Sequence, residues 1–340
     1  MIVAVTPEDE YVTRLKEWGV RHVRVELEGS GLNPMKDFSY LRQLKRILRI
    51  EKPDIILSYT IKANIYGSLA ARSLRVPIIS NVSGLGTTLL WKGWIRRAAV
   101  SLYNRAFRNT NFIFFQNKDD RKLFLQQVKV DSSKTGLLPG SGIDLTEFKA
   151  QPPAFDTRVK CLMISRLILE KGVLEYMEAA EKLNKSKRDV EFLLLGRYEP
   201  DHKRSINASD FGRLERGNFI TYLGHSDDVK EAISQADVVV LPSYREGTPR
   251  TLLEAAAMSR PLIATDVPGC REVVSDGVNG FLCEEKSAES LAQKIELFLS
   301  LTTGEKKVMG LASRKLVEER FDENIVIAEY SRKIKQLLTK

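Results

Sequence analysis

Asp237-Val-Val-Val-Leu241-Pro-Ser-Tyr-Arg-Glu246-Gly247-Thr248-Pro249-Arg250-Thr-Leu-Leu-Glu254-Ala-Ala-Ala257 runs from an apolar strand, through a glycine-containing loop, into a helix. A valine and leucine run without polar alternation fits a strand buried on both faces. Thr248 is a good N-cap and Pro249 suits the first helical position. The loop therefore delivers free backbone N–H groups at a helix N-terminus, which carries roughly half a positive charge and favours anions. Gly247 lets a phosphate approach the backbone closely. Glu246 and Glu254 frame this loop. Glu254 lies six positions past the expected cap, about 9 Å along the axis. That is roughly the span from a sugar through a diphosphate to a ribose. A carboxylate near each end can accept hydrogen bonds from vicinal hydroxyls while the amides between hold phosphate. The plainer alternative is a capped helix with one surface and one half-buried glutamate.

A second element follows another expected strand, Lys160–Ser165. It reads Ser165-Arg166-Leu-Ile-Leu-Glu170-Lys171-Gly172. Ligands in open α/β sheets bind outside the carboxyl ends of strands. Arg166 offers a planar fork and Lys171 a mobile point charge, both suited to a pyrophosphate. An ordinary basic loop is the alternative.

Similar strands recur along the chain. Further ones are expected at Ile2–Val5, Val23–Leu27, Ile55–Tyr59, Ile78–Val82, Phe112–Phe115, Val190–Leu195, Phe219–Tyr222 and Leu262–Thr265. Helical patterns lie between them. One is expected to start at Thr6-Pro7 and end at Gly19. Another carries Phe38, Leu41, Leu44, Ile47 and Leu48 as its apolar face. This alternation predicts an α/β chain with doubly wound parallel sheets. Ala150-Gln-Pro-Pro-Ala154 reads as a linker, since two prolines exclude helix and central strand. Two Rossmann-like domains are expected, at 1–150 and 155–320. A last helix falls within 321–340 and is free to pack back on the first domain.

The 340 residues suffice for two such cores. The charge is uneven: residues 1–150 hold 24 Lys and Arg against 14 Asp and Glu, and residues 151–340 hold 29 against 30. The basic half points to an anionic surface or ligand. Three cysteines without CxxC spacing exclude a disulfide scaffold or zinc ribbon, and three scattered histidines suggest no His-based metal site. No apolar run approaches the roughly 18 residues of a spanning helix, and the apolar start is too short for a signal peptide.

The segments Ser165-Arg166-Leu…Lys171-Gly172, Leu241-Pro242-Ser243, Glu246-Gly247…Glu254-Ala255, Pro261-Leu-Ile-Ala-Thr-Asp266, Gly269…Glu272 and Asp276-Gly277…Asn279-Gly280 together resemble the family-4 glycosyltransferases of the GT-B fold. The resemblance implies that Arg166 and Lys171 grip the donor diphosphate, with the loop Gly247-Thr248-Pro249-Arg250. It places Glu246 beside the donor sugar, Glu254 on the ribose, and Arg197 and His225 near the base. It implies retention at the anomeric carbon. The chain has no Asp-x-Asp motif, which fits a metal-independent site. No cofactor is expected, the UDP-sugar being a co-substrate.

In the first half, Thr60-Ile-Lys62-Ala-Asn64, Val82-Ser-Gly84-Leu85-Gly86 and Gln116-Asn117-Lys-Asp119-Asp120 look like the bacterial members that extend sugars on undecaprenyl diphosphate in O-antigen, capsule or glycan assembly. Lys62, Asn64, Gly84, Leu85, Gly86 and Asn117 are thereby expected at the acceptor, and a hexosamine-type donor is implied. The same resemblance makes this chain open at the usual second strand, so the first domain is expected to lack its first strand and helix.

Residues 91–108 fit a lipid-bound acceptor. Trp91, Trp94, Ile95, Ala98, Leu102, Ala106 and Phe107 form an apolar stripe, with Lys92, Arg96, Arg97, Arg105 and Arg108 beside it. Such a helix suits an anionic membrane interface, or its stripe packs on the domain core. Peripheral attachment to the cytoplasmic face of the membrane is the expectation. Nucleic acid is a poorer partner, because no recognised binding motif accompanies the charge. Two rivals stand beside the transferase reading: a UDP-sugar epimerase of the same fold, and a non-catalytic nucleotide-sugar-binding or scaffold subunit.

Overall fold

A computed structural model describes residues 1–27, 33–85, 94–108, 110–155, 158–186 and 189–339, the side chains at 94 and 95 excepted. Gly86, Trp91 and Lys92, named above, lie outside the described residues, as do the Trp94 and Ile95 side chains. The chain forms two compact units. One comprises Met1–Phe115, Arg121–Leu137 and Ser331–Lys340; the other comprises Gln116–Asp120 and Leu138–Tyr330. The chain passes into the second unit at Leu138, ahead of Pro152 and Pro153.

The second unit holds six strands: β7 (Val159–Ile164), β8 (Val190–Leu195), β9 (Thr221–Tyr222), β10 (Val238–Leu241), β11 (Leu262–Thr265) and β12 (Gly280–Cys283). They form one parallel sheet in the order β12-β11-β10-β7-β8-β9. Register is set by pairs such as Val239 with Leu162 and Ile263 with Val240. The chain builds outward from β7 in one direction, then returns to lay β10 against its other edge. The switch point therefore falls between β7 and β10. Both strands are almost wholly buried, as the continuous apolar runs require. On one face, α6 (Val173–Lys185) and α11 (Ala288–Ser300) contribute Tyr176, Met177, Leu183, Ile295 and Phe298 to the core. On the other, α9 (Arg250–Ala257) contributes Leu252, Leu253, Ala255 and Ala256. Strand β12, unforeseen in the sequence, runs through Gly280. A Cβ there would stand 1.9 Å from the Leu262 carbonyl oxygen, so the close pairing of β12 with β11 requires glycine.

In the first unit β3 (Ile56–Tyr59), β4 (Ile78–Val82), β5 (Phe112–Phe115) and β6 (Thr135–Leu137) make a four-stranded parallel sheet in chain order. Strands β1 (Val3–Thr6) and β2 (Arg21–Arg24) form a separate parallel pair. Among the described residues β1 pairs only with β2 and β3 only with β4, so each keeps an open edge. Accordingly β4 and β5 are buried throughout, whereas every residue of β1 is only half-buried. Helix α2 (Pro34–Glu51) joins the two sheets: its Tyr40 and Leu44 form a core with Val25 of the β2 segment and Ala70 of α3 (Ile61–Leu74). Asn33 caps α2, accepting from the N–H groups of Met35 and Lys36 at 3.2 and 3.3 Å. The last 16-residue helix, α13 (Glu323–Leu338), ends in residues of the first unit, where Lys333 Nζ lies 3.7 Å from the Phe112 ring centroid.

Two sequence expectations are corrected here. Thr6-Pro7 does not start a helix. Thr6 ends β1, Asp9 accepts from the Tyr11 N–H at 3.0 Å in a tight turn, and α1 spans only Val12–Glu17. Phe38 does not join the buried face of α2. It is 60% exposed, because it sits about 100° or more around the helix from Tyr40 and Leu44.

Candidate active site

The loops after β7 and β10 meet at the switch point of the second unit. Lys171 ends a short 3-10 turn, Leu169–Lys171, followed by Gly172 at φ 75°. A Cβ on Gly172 would stand 2.1 Å from the Pro242 carbonyl oxygen. The Tyr244 N–H donates to the Glu170 carbonyl at 2.9 Å. These two contacts lock the loops together and aim Lys171 at Glu246. Lys171 Nζ donates to Glu246 Oε1, and Ser243 Oγ donates to the same oxygen at 2.6 Å. Ser243 is fully buried, and its carbonyl accepts from Thr265 Oγ1. The Glu246 side chain is 12% exposed, so this carboxylate is charge-compensated and held from two sides.

Gly269 supports the loop from below. At φ 87° it runs so close that a Cβ would lie 2.2 Å from the Gly247 carbonyl oxygen. The Asn117 amide donates to that same oxygen at 3.0 Å and to Asp120 Oδ2 at 3.2 Å, while its own oxygen accepts from the Asp120 N–H at 2.7 Å. Asn117 is buried, and these bonds turn it inward as a brace for the Glu246 loop. Asp120 also pairs with Arg245.

The helix cap differs by one residue from the sequence reading. Pro249, at φ −72° and ψ 116°, is the N-cap, and α9 begins at Arg250. The Thr248 hydroxyl donates to the Gln116 carbonyl at 3.1 Å instead of capping. The proline carbonyl takes the first helical bonds, from Leu252 and Leu253 at 3.1 and 3.3 Å. Among the described residues the N–H groups of Gly247, Thr248, Arg250 and Thr251 find no acceptor. They form a strip of bare donors at a helix start.

Glu254 lies one turn into α9, 8% exposed, and accepts from Arg250 Nε at 2.8 Å. Burial holds its carboxyl above the usual glutamate range, with Arg250 opposing the shift. Arg166, directly after β7, is exposed. Arg197, after β8, lies 2.8 Å from His225 Nε2, which also meets Asp227. Lys171, Ser243, Glu246 and the bare amides thus stand at one switch point, with Arg166 on the same loop as Lys171. Ser243 was missed as a site residue. Its place three residues before Glu246 was visible, but its hydroxyl direction was not.

In the first unit, Lys62 Nζ pairs with Asp37 Oδ1 at 2.9 Å. Asp37 borders a cavity of about 390 Å³ formed with Arg24, Glu26, Lys36, Tyr40 and Gln43. Tyr66 is pushed up to about 12, by burial first and by Asp37 second. Asn64 is buried: its oxygen accepts from Ser58 Oγ at 2.8 Å and its nitrogen donates to the Asn81 carbonyl at 2.7 Å. Leu85 is buried, and Gly84 is half-buried beside it. In α4 (Trp94–Phe107), Tyr103, Ala106 and Phe107 are buried in the core with Phe115 and Phe124, and Leu102 packs against them. Of the expected apolar stripe, Leu102, Ala106 and Phe107 are turned inward and Ala98 is exposed, while Trp91 and the side chains of Trp94 and Ile95 lie outside the described residues. Arg97 and Arg105 are exposed, and Arg96 donates to Gln127 Oε1 at 3.2 Å.

Comparison with known proteins bears on family and fold. Residues 144–315 match the family described as glycosyl transferases group 1, and residues 1–140 match the glycosyl transferase 4-like domain. The chain is 30% identical to the N,N'-diacetylbacillosaminyl-diphospho-undecaprenol alpha-1,3-N-acetylgalactosaminyltransferase of Campylobacter jejuni, across 97% of this chain and 89% of that protein. It is 27% identical to the UDP-Gal:alpha-D-GlcNAc-diphosphoundecaprenol alpha-1,3-galactosyltransferase of Escherichia coli, across 75% and 69%. Among solved structures, Anabaena HepE in complex with UDP and glucose superposes with a TM-score of 0.79 at 18% identity, covering 98% of this chain and 91% of that one. A Rickettsia africae glycosyltransferase gives 0.80 at 21%, covering 99% and 90%. With two parallel α/β units, the switch-point loops and matches along nearly its whole length, the chain belongs to the group 1, family-4 glycosyltransferases of the GT-B fold.

Proposed function

We propose that the chain transfers a hexosamine-type sugar from a UDP-sugar to the saccharide of a lipid-diphosphate-linked acceptor, with retention, in bacterial surface-polysaccharide or glycan assembly. The convergence of Lys171 and Ser243 on Glu246, beside four unpaired backbone N–H groups, carries the reading. The activities of the Campylobacter and Escherichia relatives support the acceptor class.

The bond from the anomeric carbon to the β-phosphate oxygen breaks, and a bond to the acceptor hydroxyl oxygen forms. Stabilising charge on the departing phosphate is the main task. Lys171 and Arg166 supply cations, and the N–H groups of Gly247, Thr248, Arg250 and Thr251 supply fixed dipoles. Glu246, held on one oxygen, orients the donor sugar and answers positive charge at its anomeric carbon. Glu254 accepts from the ribose hydroxyls, and Arg197 and His225 flank the base. The acceptor proton passes to the departing phosphate. The cavity near Asp37 and Lys62 in the first unit takes the acceptor, whose lipid tail keeps the protein at the cytoplasmic face of the membrane.

The test is incubation with a panel of UDP-sugars and short-chain polyprenyl-diphosphate saccharides. One UDP-sugar should lengthen one acceptor by a single residue, with anomeric configuration preserved by NMR. Interconversion of a UDP-sugar without acceptor would make it an epimerase. Binding without any turnover would make it a non-catalytic subunit.

A further inference from the structure

Helix α2 has two faces, and only one belongs to the core. Tyr40, Leu44 and the half-buried Leu41, Ile47 and Leu48 pack inward. Opposite them, Met35, Phe38, Arg42, Arg46, Arg49 and Ile50 fall within an arc of roughly 120° at 100° per residue. Met35, Phe38 and Ile50 are 83, 60 and 63% exposed. The three arginines are exposed and have no acidic partner among the described residues. The acids of α2 lie elsewhere: Asp37 is buried against Lys62, and Glu51 pairs with Arg21. The Arg42 guanidinium sits 5.9 Å from the Phe38 ring centroid. Large apolar side chains interleaved with cations on a solvent face are unusual for a water-facing helix and suit a lipid headgroup boundary.

The surroundings continue the charge. Helix α3 packs between α2 and α4. Arg72 and Arg75 of the α3 end are exposed, as are Arg97, Arg105 and Arg108 of the α4 segment. Residues 34–108 hold 14 Lys and Arg against three Asp and Glu.

We propose that the outer face of α2 is the surface by which the protein lies on an anionic phospholipid bilayer, with Met35, Phe38 and Ile50 entering the headgroup layer and Arg42, Arg46 and Arg49 meeting lipid phosphates. The membrane contact thus centres on α2, and the α4 arginines only extend its field. Lys36 and Gln43, on the flank of the same helix, line the cavity described above. The proposal rests on the lipid-linked acceptor reading, because it sets that cavity beside the bilayer from which such an acceptor emerges.

The experiment is cosedimentation of the full chain with phosphatidylglycerol–phosphatidylcholine vesicles and with pure phosphatidylcholine vesicles. Two double variants, Met35→Glu with Phe38→Glu and Arg42→Glu with Arg46→Glu, are compared with Arg97→Glu with Arg105→Glu on α4. UDP affinity of each variant reports an intact second unit, and the circular dichroism melt reports the first. The parent should favour the anionic vesicles, and each α2 double variant should lose on the order of tenfold or more in partitioning while melting like the parent. The α4 pair should lose less. Equal binding to neutral vesicles, undiminished partitioning of the folded α2 variants, or a larger loss from the α4 pair would overturn the assignment. So would a dimer that Phe38→Glu dissociates, without vesicle binding. Vesicle partitioning is read independently of sugar transfer, so failure of the transferase reading leaves a distinct signature: α2-dependent binding with no turnover.

Discussion

Glu246 owes its position to two side-chain donors, one short and one long. Ser243, fully buried, and Lys171 both donate to one carboxylate oxygen. Removing the serine hydroxyl leaves that oxygen with one donor and lets the carboxylate rotate. Ser243→Ala should lower kcat by about tenfold with little change in the KM for UDP-sugar, and Ser243→Thr should recover part of it. Equal loss in both variants, or a change in KM alone, would show that the hydroxyl does not act through Glu246. Glu254 poses the opposite balance. Burial raises its carboxyl above the ordinary range, so the folded state holds the proton more tightly than the unfolded chain. Stability from that proton is present below the ordinary glutamate value and is lost as pH rises through the raised one. Glu254→Gln should therefore melt about 1–3 °C above the parent near pH 8, with the gap closing by pH 4. The same variant should bind UDP about tenfold more weakly if the carboxylate receives ribose hydroxyls. A thermal scan at both pH values and a UDP titration check the pair.

At the scale of elements, burial in the first unit is graded. Strands β4 and β5 are buried on both faces and paired on both edges, whereas β1 is half-buried and has one partner. A parallel two-stranded pair is marginal by itself. Amide hydrogens of β1 and β2 should exchange on the order of a hundredfold faster than those of β4 and β5; equal protection would contradict this reading. The same grading explains which elements were legible in the sequence. The expected ranges for β4, β5, β8 and β11 coincide with the observed ones, because strands covered on both faces read as mainly apolar runs, even where Ser80, Asn81 or Glu191 interrupts them. Strands β6 and β12 were missed: they are short, lie at sheet edges and contain Gly136 and Gly280. The switch-point loops were legible from residue type, since Arg166, Lys171 and Glu246 follow strand ends and Glu254 lies in the helix after one. Their mutual geometry was not. The bond from Lys171 to Glu246 spans 75 residues and that from Asn117 to Gly247 spans 130, and no local pattern encodes such pairs. Thr248 looked like a cap for the same reason, since only tertiary context turns its hydroxyl to Gln116.

The whole molecule divides its tasks between two units of different charge. The neutral second half brings cationic side chains and bare amides to one switch point, so the anion affinity proposed for it rests on placement, not on net charge. The basic first half spreads its charge over α2, α3 and α4, where it suits an extended anionic surface. On the proposed function, the switch-point loops of the second unit hold the diphosphate of a uridine nucleotide. Calorimetric titration with UDP, on the parent and on Lys171→Ala with Arg166→Ala, tests it most directly. The parent should bind UDP at one site per chain, and the double variant should bind it more weakly by on the order of a hundredfold with an unchanged thermal melt. No heat of binding in the parent, or equal affinity in parent and variant, would contradict it.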